Sequence, residues 1–295
     1  MSINSIALKS IILKTTAFVS IATQLGGQSY MEKSLSNNVI QVSAPITTDT
    51  SGKMGIVAQS SVLRVICQST KMGGTGFLHK SGVVITAAHV VLNCDNNDLL
   101  LVTSSGDQIG VNSVSKDENK DLAILWPEKP LQGPTLQISS SSSIEVGSQI
   151  TTWGFPSGYN SLSPLLTVGY LSGIDQIKTP SGVLINRWVV NAAFNSGNSG
   201  GPVLDLEDGS VIGVVSSKLA PIPPYIESAL EALSKQTSGF VYTKTLPDGS
   251  TEQISEGKII AEVLLYLRSQ TQLVLGHAVT SIDLISFLND NKIDP

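Results

Sequence analysis

Charge is scarce in this chain: Asp, Glu, Lys and Arg together make up 14% of 295 residues, with a formal net charge of -5. That balance leaves no basic stripe, so nucleic acid is not an expected partner. The longest apolar runs fall well short of the ~20 residues that cross a bilayer, so no membrane span is expected either. Histidine occurs three times, as His79, His89 and His277, and cysteine twice, as Cys67 and Cys94. What the chain has in quantity is apolar side chains (41%) and 26 glycines. Together these favour a core-rich β protein with many tight turns over a helical bundle or a disordered chain.

Acidic residues are missing from positions 1–31, where Lys14 interrupts the apolar stretches around Ile11-Ile12-Leu13 and Ala17-Phe18-Val19. A secretory leader needs about 7–15 uninterrupted apolar residues, and here the run is cut in two. The expectation is an arm over 1–55, poorly ordered or an amphipathic helix outside the main fold, on a cytoplasmic protein. Export to the periplasm or outside, with cleavage near Ser20-Ile21-Ala22, is the alternative. Cys67 closes a strand-like run and Cys94 follows the His89 segment, so the two could be neighbours. Two buried thiols are the expectation and a bridge the alternative.

From about residue 60 short β-type runs alternate with Gly, Ser, Asn and Asp, as in a barrel or sandwich. The stretch 131–143, ending in five serines, has the composition of a linker, and a second set of strands follows it. Expected units are therefore a β-barrel over 56–136 and a second over 137–295. Within the second, residues 221–270 break the rhythm. Ile226, Ala229, Leu230 and Leu233 share one helical face, Pro247-Asp248-Gly249 reads as a hairpin turn, and Ile259, Ile260, Val263, Leu264 and Leu267 return to helical period. Thr280 and Asp283 have capping-box spacing before a last helix, 281–290, carrying Ile282, Ile285 and Leu288.

Three short segments point to chemistry. In Phe194-Asn195-Ser196-Gly197-Asn198-Ser199-Gly200-Gly201-Pro202 a serine stands on a glycine-rich turn, where unusual dihedrals can free its hydroxyl and aim backbone N–H groups at a substrate carbonyl. Thr86-Ala87-Ala88-His89-Val90 puts a histidine after small residues at the end of a strand, whereas His79 lies in a turn expected to be exposed. Asp121-Leu122-Ala123-Ile124-Leu125 puts a carboxylate at the mouth of an apolar strand, where it could fix the tautomer of an imidazole. Taken singly, each is also compatible with an ordinary loop, a structural histidine or a solvated acid.

In the order His, Asp, Ser these segments resemble the chymotrypsin-like serine peptidases, and within them the HtrA/Deg branch. Gly74-Thr75-Gly76-Phe77, Trp153-Gly154-Phe155-Pro156 and Val211-Ile212-Gly213-Val214 support the resemblance, which spans about 60–220 and resumes at 276–288. It implies an all-β fold of two perpendicular six-stranded barrels, with a helical insertion and a C-terminal helix. It further implies an endopeptidase with Ser199 as nucleophile, His89 as general base and acid, and Asp121 as its orienter. The oxyanion hole would lie on Gly197, Asn198 and Ser199, with the Gly197 and Ser199 N–H groups converging on the oxyanion. No metal or organic cofactor is required, and the partner is a protein or peptide substrate.

Departures from the family matter too. Asn198 stands where trypsin-like zymogens carry an aspartate, so activity is expected without a freed N-terminus. No PDZ domain is expected after the last helix, so oligomer and chaperone expectations are not carried over. The insertion 221–270 would shape or cover the specificity pocket, as a lid moved by a regulatory protein partner, or decorate the barrel. The expected substrate-contacting residues are Ala193, Phe194, Val214, Val215, Ser216 and His277. Apolar Ala193 and Phe194 favour a small or medium apolar side chain before the cut, and glutamate recognition by His277 is the alternative. A silent relative using its cleft as a binding module is the rival function, and general quality-control proteolysis a third.

Overall fold

The computed structural model describes residues 53–140, 144–179, 181–218, 224–235, 239–245, 249–270 and 275–295. Helix α1 (Lys53–Ser61) leads into a closed barrel of β1 (Val62–Cys67), β2 (Gly73–Leu78), β3 (Val84–Thr86), β4 (Leu99–Val102), β5 (Gln108–Asp117) and β6 (Leu122–Pro127). A second closed barrel takes β7 (Gln149–Gly154), β8 (Leu165–Lys178), β9 (Leu184–Asn191), β10 (Pro202–Asp205), β11 (Val211–Lys218) and β14 (Leu275–Thr280). The first runs β1-β2-β3-β6-β5-β4 and the second β10-β11-β14-β9-β8-β7. Closure pairs every strand on both sides, so neither sheet has a free edge. The chain is thus a double β-barrel of the chymotrypsin type, as the motif order implied. Of the expected N-terminal arm, residues up to 52 lie outside the described residues, and 53–55 already belong to α1.

Side-chain alternation explains why the two barrels meet where they do. Along β6, Ala123 and Leu125 point into the first barrel with Leu63, Val65 and Val84. Leu122 and Ile124 point the other way, into a cluster with Phe77, Ile85, Trp153, Val214 and Val279 from both barrels. A strand buried on both faces must be apolar throughout, hence the unbroken run after Asp121. Each such Leu or Ile contributes about 1.5–3 kcal/mol through burial. The strand's first turn, with Asp121, is thereby fixed at the seam.

Helix α4 (Ser281–Asp290) covers that seam with Leu284, Phe287 and Leu288. Thr280 caps it as expected, its Oγ1 accepting from the Asp283 N–H at 3.2 Å and donating to the Asp283 carboxylate at 3.0 Å. Ile282, read as part of the apolar face, is instead 51% exposed. The buried positions 284, 287 and 288 follow i, i+3, i+4 spacing, which leaves 282 on the far side.

Between β11 and β14 the insertion is helix–hairpin–helix: α2 (Pro224–Lys235), β12 (Val241–Thr245) with β13 (Thr251–Ser255), and α3 (Glu256–Gln270). The hairpin joins as the sequence suggested, with Pro247 and Asp248 of its turn outside the described residues. The two helices pack on each other. Even so, Ile226, Ile260, Val263, Leu264 and Leu267 of their apolar faces remain exposed. The stretch read as a linker is partly packed: Leu136 and Ile138 are buried, and Ser139 and Gln137 exchange hydrogen bonds with Val211. Residues 141–143 of its serine run lie outside the described residues.

Two expectations are corrected. His79 is buried, because its N–H closes the β2–β3 turn onto Val83 O and its Nδ1 hydrogen-bonds Ser81. Burial lowers its pKa, Lys80 lowers it further, and Asp294 opposes both. Cys67 and Cys94 are not free thiols but a disulfide. Register explains it: Cys67 pairs with Leu99 at the start of β4, and Cys94 sits in the approach to that strand. The bridge closes a separation of 27 residues around the His89 segment. Loop-closure entropy then predicts that the Cys67→Ser/Cys94→Ser double variant loses about 3.5 kcal/mol in urea unfolding. A loss under about 1 kcal/mol would mean that the bridge constrains little.

Candidate active site

Three loops at the seam bring the site together. His89 sits in a 3₁₀ turn, Ala88–Val90, at the end of β3. Ala87 and Ala88 are buried, and larger side chains there would push the turn outward. The His89 Nδ1 lies 3.0 Å from both oxygens of Asp121, and the His89 backbone N–H also donates to Asp121 Oδ1 at 3.0 Å. Asp121 holds its position at φ +58°, a left-handed conformation that Asp tolerates better than most residues.

Ser216, expected to touch substrate, proves to be the fourth member of the cluster. Its Oγ donates to Asp121 Oδ2 at 2.5 Å, while its carbonyl accepts from Ser199 Oγ at 3.4 Å. Burial acts to raise the Asp121 pKa, but hydrogen bonds and charge from His89 and the Ser216 hydroxyl outweigh it and hold the carboxyl below its ordinary value. Among the described residues Ser199 Oγ makes no hydrogen bond to His89; its bond is to Ser216. Catalytic hydrogen bonds commonly tighten only when substrate is bound.

The serine turn depends on glycine at two positions. Gly200 has φ +84°, and a Cβ there would fall 2.1 Å from Thr86 Oγ1 and 2.2 Å from Thr75 O. Gly197 has φ +93°, and its Cβ would fall 2.2 Å from Phe155 O. Backbone bonds from Gly200 to Val215 O, Val215 to Gly201 O, and Thr75 to Ser199 O brace the turn. Thr75 Oγ1 adds a bond to Gly197 O at 2.6 Å. Among the described residues the N–H groups of Gly197 and Ser199 have no partner, whereas the Asn198 N–H is spent on Asn195 O. Asn198 therefore leaves the expected oxyanion set as a donor; its buried side chain reaches back to Ala193 O.

The expected substrate contacts divide. The Val214 and Val215 side chains are fully buried, one in the seam and the other inside the second barrel, and the Val215 backbone braces the turn. Phe194 packs against β14, where a Cβ on Gly276 would lie 2.3 Å from its ring, and Ala193 beside it is partly exposed. Ala278 shares the Phe194 core cluster, so alternation puts His277 on the opposite face of β14. There its Nε2 is 3.4 Å from Asp175 Oδ2, near enough for ion pairing but outside hydrogen-bond geometry. Burial lowers the His277 pKa, with Asp175 opposing and Arg187 reinforcing the shift.

Residues 74–214 match the family model described as the trypsin-like peptidase domain. The serine protease HTRA2, mitochondrial, of Drosophila grimshawi is 29% identical over 214 residues, which cover 69% of this chain and 49% of that protein. The Drosophila yakuba protein of the same name is 29% identical over 219 residues, covering 70% and 51%. The chain thus spans about half the length of the curated relatives it matches. Among solved structures, the active form of the Rv3671c protease from M. tuberculosis is 21% identical with a TM-score of 0.49, covering 77% of this chain and 90% of that one. The double barrel thus matches the trypsin-like peptidase domain over residues 74–214, and the chain is similar there to the serine protease domain of HtrA proteases.

Proposed function

We propose that the chain hydrolyses peptide bonds through Ser199, His89 and Asp121, by way of an acyl-enzyme. The observation that supports this most is the Asp121 carboxylate, gripped by His89 and Ser216, beside a serine turn with two N–H groups that have no partner among the described residues. In this reading the Ser199 hydroxyl attacks the peptide carbonyl as His89 Nε2 takes its proton, and Asp121 stabilises the imidazolium. The Gly197 and Ser199 N–H groups receive the oxyanion. His89 then gives its proton to the leaving amine and later activates the water that releases the acid.

An apolar primary pocket, taking a small or medium side chain, is supported by the partly exposed Ala193 and by Phe194 packed against Gly276. Glutamate recognition by His277 loses support, because that ring faces Asp175 across the strand. The insertion leaves β11 and returns at β14, the strands that carry Ser216 and Gly276, and this supports its reading as a lid over the site, which a regulatory partner would move. The disulfide favours an oxidising compartment, the exported alternative, over the cytoplasm. Fluorophosphonate labelling of the wild type beside Ser199→Ala tests the central claim. An adduct at Ser199, lost in the variant, is expected; a folded wild type without adduct would leave a binding module instead.

A further inference from the structure

Arg64 is a cation at the seam with no carboxylate partner among the described residues, and the catalytic reading gives it no role. It lies on β1 directly across from Thr75 of β2. Its Nη2 donates to Tyr159 O at 2.8 Å and Ser161 O at 3.0 Å, and its guanidinium stands 4.8 Å from the centre of the Phe155 ring. One first-barrel side chain therefore grips both ends of the 155–161 loop of the second barrel. Desolvation lowers the Arg64 pKa, so its placement costs free energy that the carbonyls and ring must offset.

That loop touches the serine turn at one place of consequence. The Ser157 N–H donates to Ser196 O at 2.7 Å. In a trans peptide the carbonyl and the next N–H point in opposite directions. Holding Ser196 O toward Ser157 thus turns the Gly197 N–H away from it, where it is unpaired. Were this peptide to rotate, a carbonyl oxygen would replace one of the two donors. Thr75 fixes the next peptide, accepting from Phe155 N at 3.1 Å and donating to Gly197 O.

We propose that Arg64 is a positioning residue for the oxyanion hole, acting through the 155–161 loop and Ser157 on the Ser196–Gly197 peptide. The inference rests on the proposed role of Ser199. Its test uses a fluorophosphonate probe, whose phosphoryl oxygen occupies the oxyanion position during attack, and resolves inactivation into a binding constant and a maximal rate. Arg64→Met is expected to lower the maximal rate at least tenfold, toward the ~10²–10³ typical of losing one oxyanion donor, with binding changed less than about twofold. Arg64→Lys, which keeps the charge but not the planar guanidinium over the Phe155 ring, should fall between the two. If Arg64→Met does not fold, Ser157→Pro removes the N–H at the same step and should give the same rate-selective loss. An unchanged maximal rate in a folded Arg64→Met, or in Ser157→Pro, would reduce Arg64 to a staple between barrels. A wild type that takes no label sinks the catalytic reading and this inference with it; a labelled wild type with unchanged variants sinks the inference alone.

Discussion

Asp121→Asn is expected to lower kcat for a fluorogenic peptide by about 10⁴ while leaving the fold intact. Among the described residues every hydrogen-bond partner of this carboxylate is a donor: the His89 N–H, the His89 Nδ1 and the Ser216 hydroxyl. A carboxamide offers one acceptor oxygen and one NH₂. If the NH₂ faces Nδ1, the ring must accept there and carry its proton on Nε2, where it cannot take a proton from Ser199. If the oxygen faces Nδ1, the tautomer survives, but no charge balances the imidazolium. Both orientations fail, for different reasons. Asn tolerates the left-handed φ of +58° at this position, so far-UV circular dichroism should be unchanged. A kcat within tenfold of wild type would remove Asp121 from the mechanism.

The same substitution should alter the acid limb of stability. Folding holds the Asp121 carboxyl below its ordinary range. Its contribution is therefore complete above the unfolded pKa and is lost as pH falls through the folded one. In Asp121→Asn that share of the acid-induced loss should vanish.

How much of this was legible in the sequence depends on whether the signal is local. His89, Asp121 and Ser199 each sit in a short motif that forces its own backbone: small residues before the histidine, an apolar strand after the acid, glycines around the serine. Ser216 shows where local reading stops. Val214, Val215 and Ser216 look like one apolar strand end, yet alternation turns Val214 to the seam and Val215 to the barrel core. The β11–β14 register then shifts between Val215 and Ser217, leaving Ser216 O outside the ladder to meet Ser199. No composition signals a bulge. The disulfide likewise depends on strand register, and two cysteines 27 apart do not reveal it. In α3 the helical period is plain in the sequence, but periodicity defines a face without saying what covers it.

Arg187 was invisible to such reading, and its loss should be the most damaging to stability. It lies on β9, 2% exposed, beside Asp175 in register, and reaches across to the first barrel. Its Nη2 donates to Lys120 O at 2.8 Å and Asn119 O at 3.4 Å, and its Nη1 to Asn186 O at 3.4 Å. Burial pulls its pKa down, while Asp121, Asp283 and Asp117 pull it back up. Lys120 O belongs to the peptide that enters Asp121, so the guanidinium holds the left-handed turn from the other side of the seam. Arg187→Met strips these carbonyls of a donor at a position where the side chain itself is buried, and takes away the cation near Asp121, Asp283 and Asp117. By the usual cost of an uncompensated buried charge, it should lose about 3–5 kcal/mol in urea unfolding. Ser199→Ala, which removes only a hydroxyl beside a carbonyl, should stay within about 1 kcal/mol. Arg187→Lys separates the two contributions, because lysine keeps the charge but, with a shorter side chain and a compact ammonium in place of the planar guanidinium, does not reproduce the same contacts. Stability should recover more than kcat in that variant, since the aspartates regain a cation while the Lys120 peptide regains at most one looser bond. Equal recovery of both would mean that the charge alone sets Asp121, and an Arg187→Met loss below about 1 kcal/mol would mean that the turn holds itself.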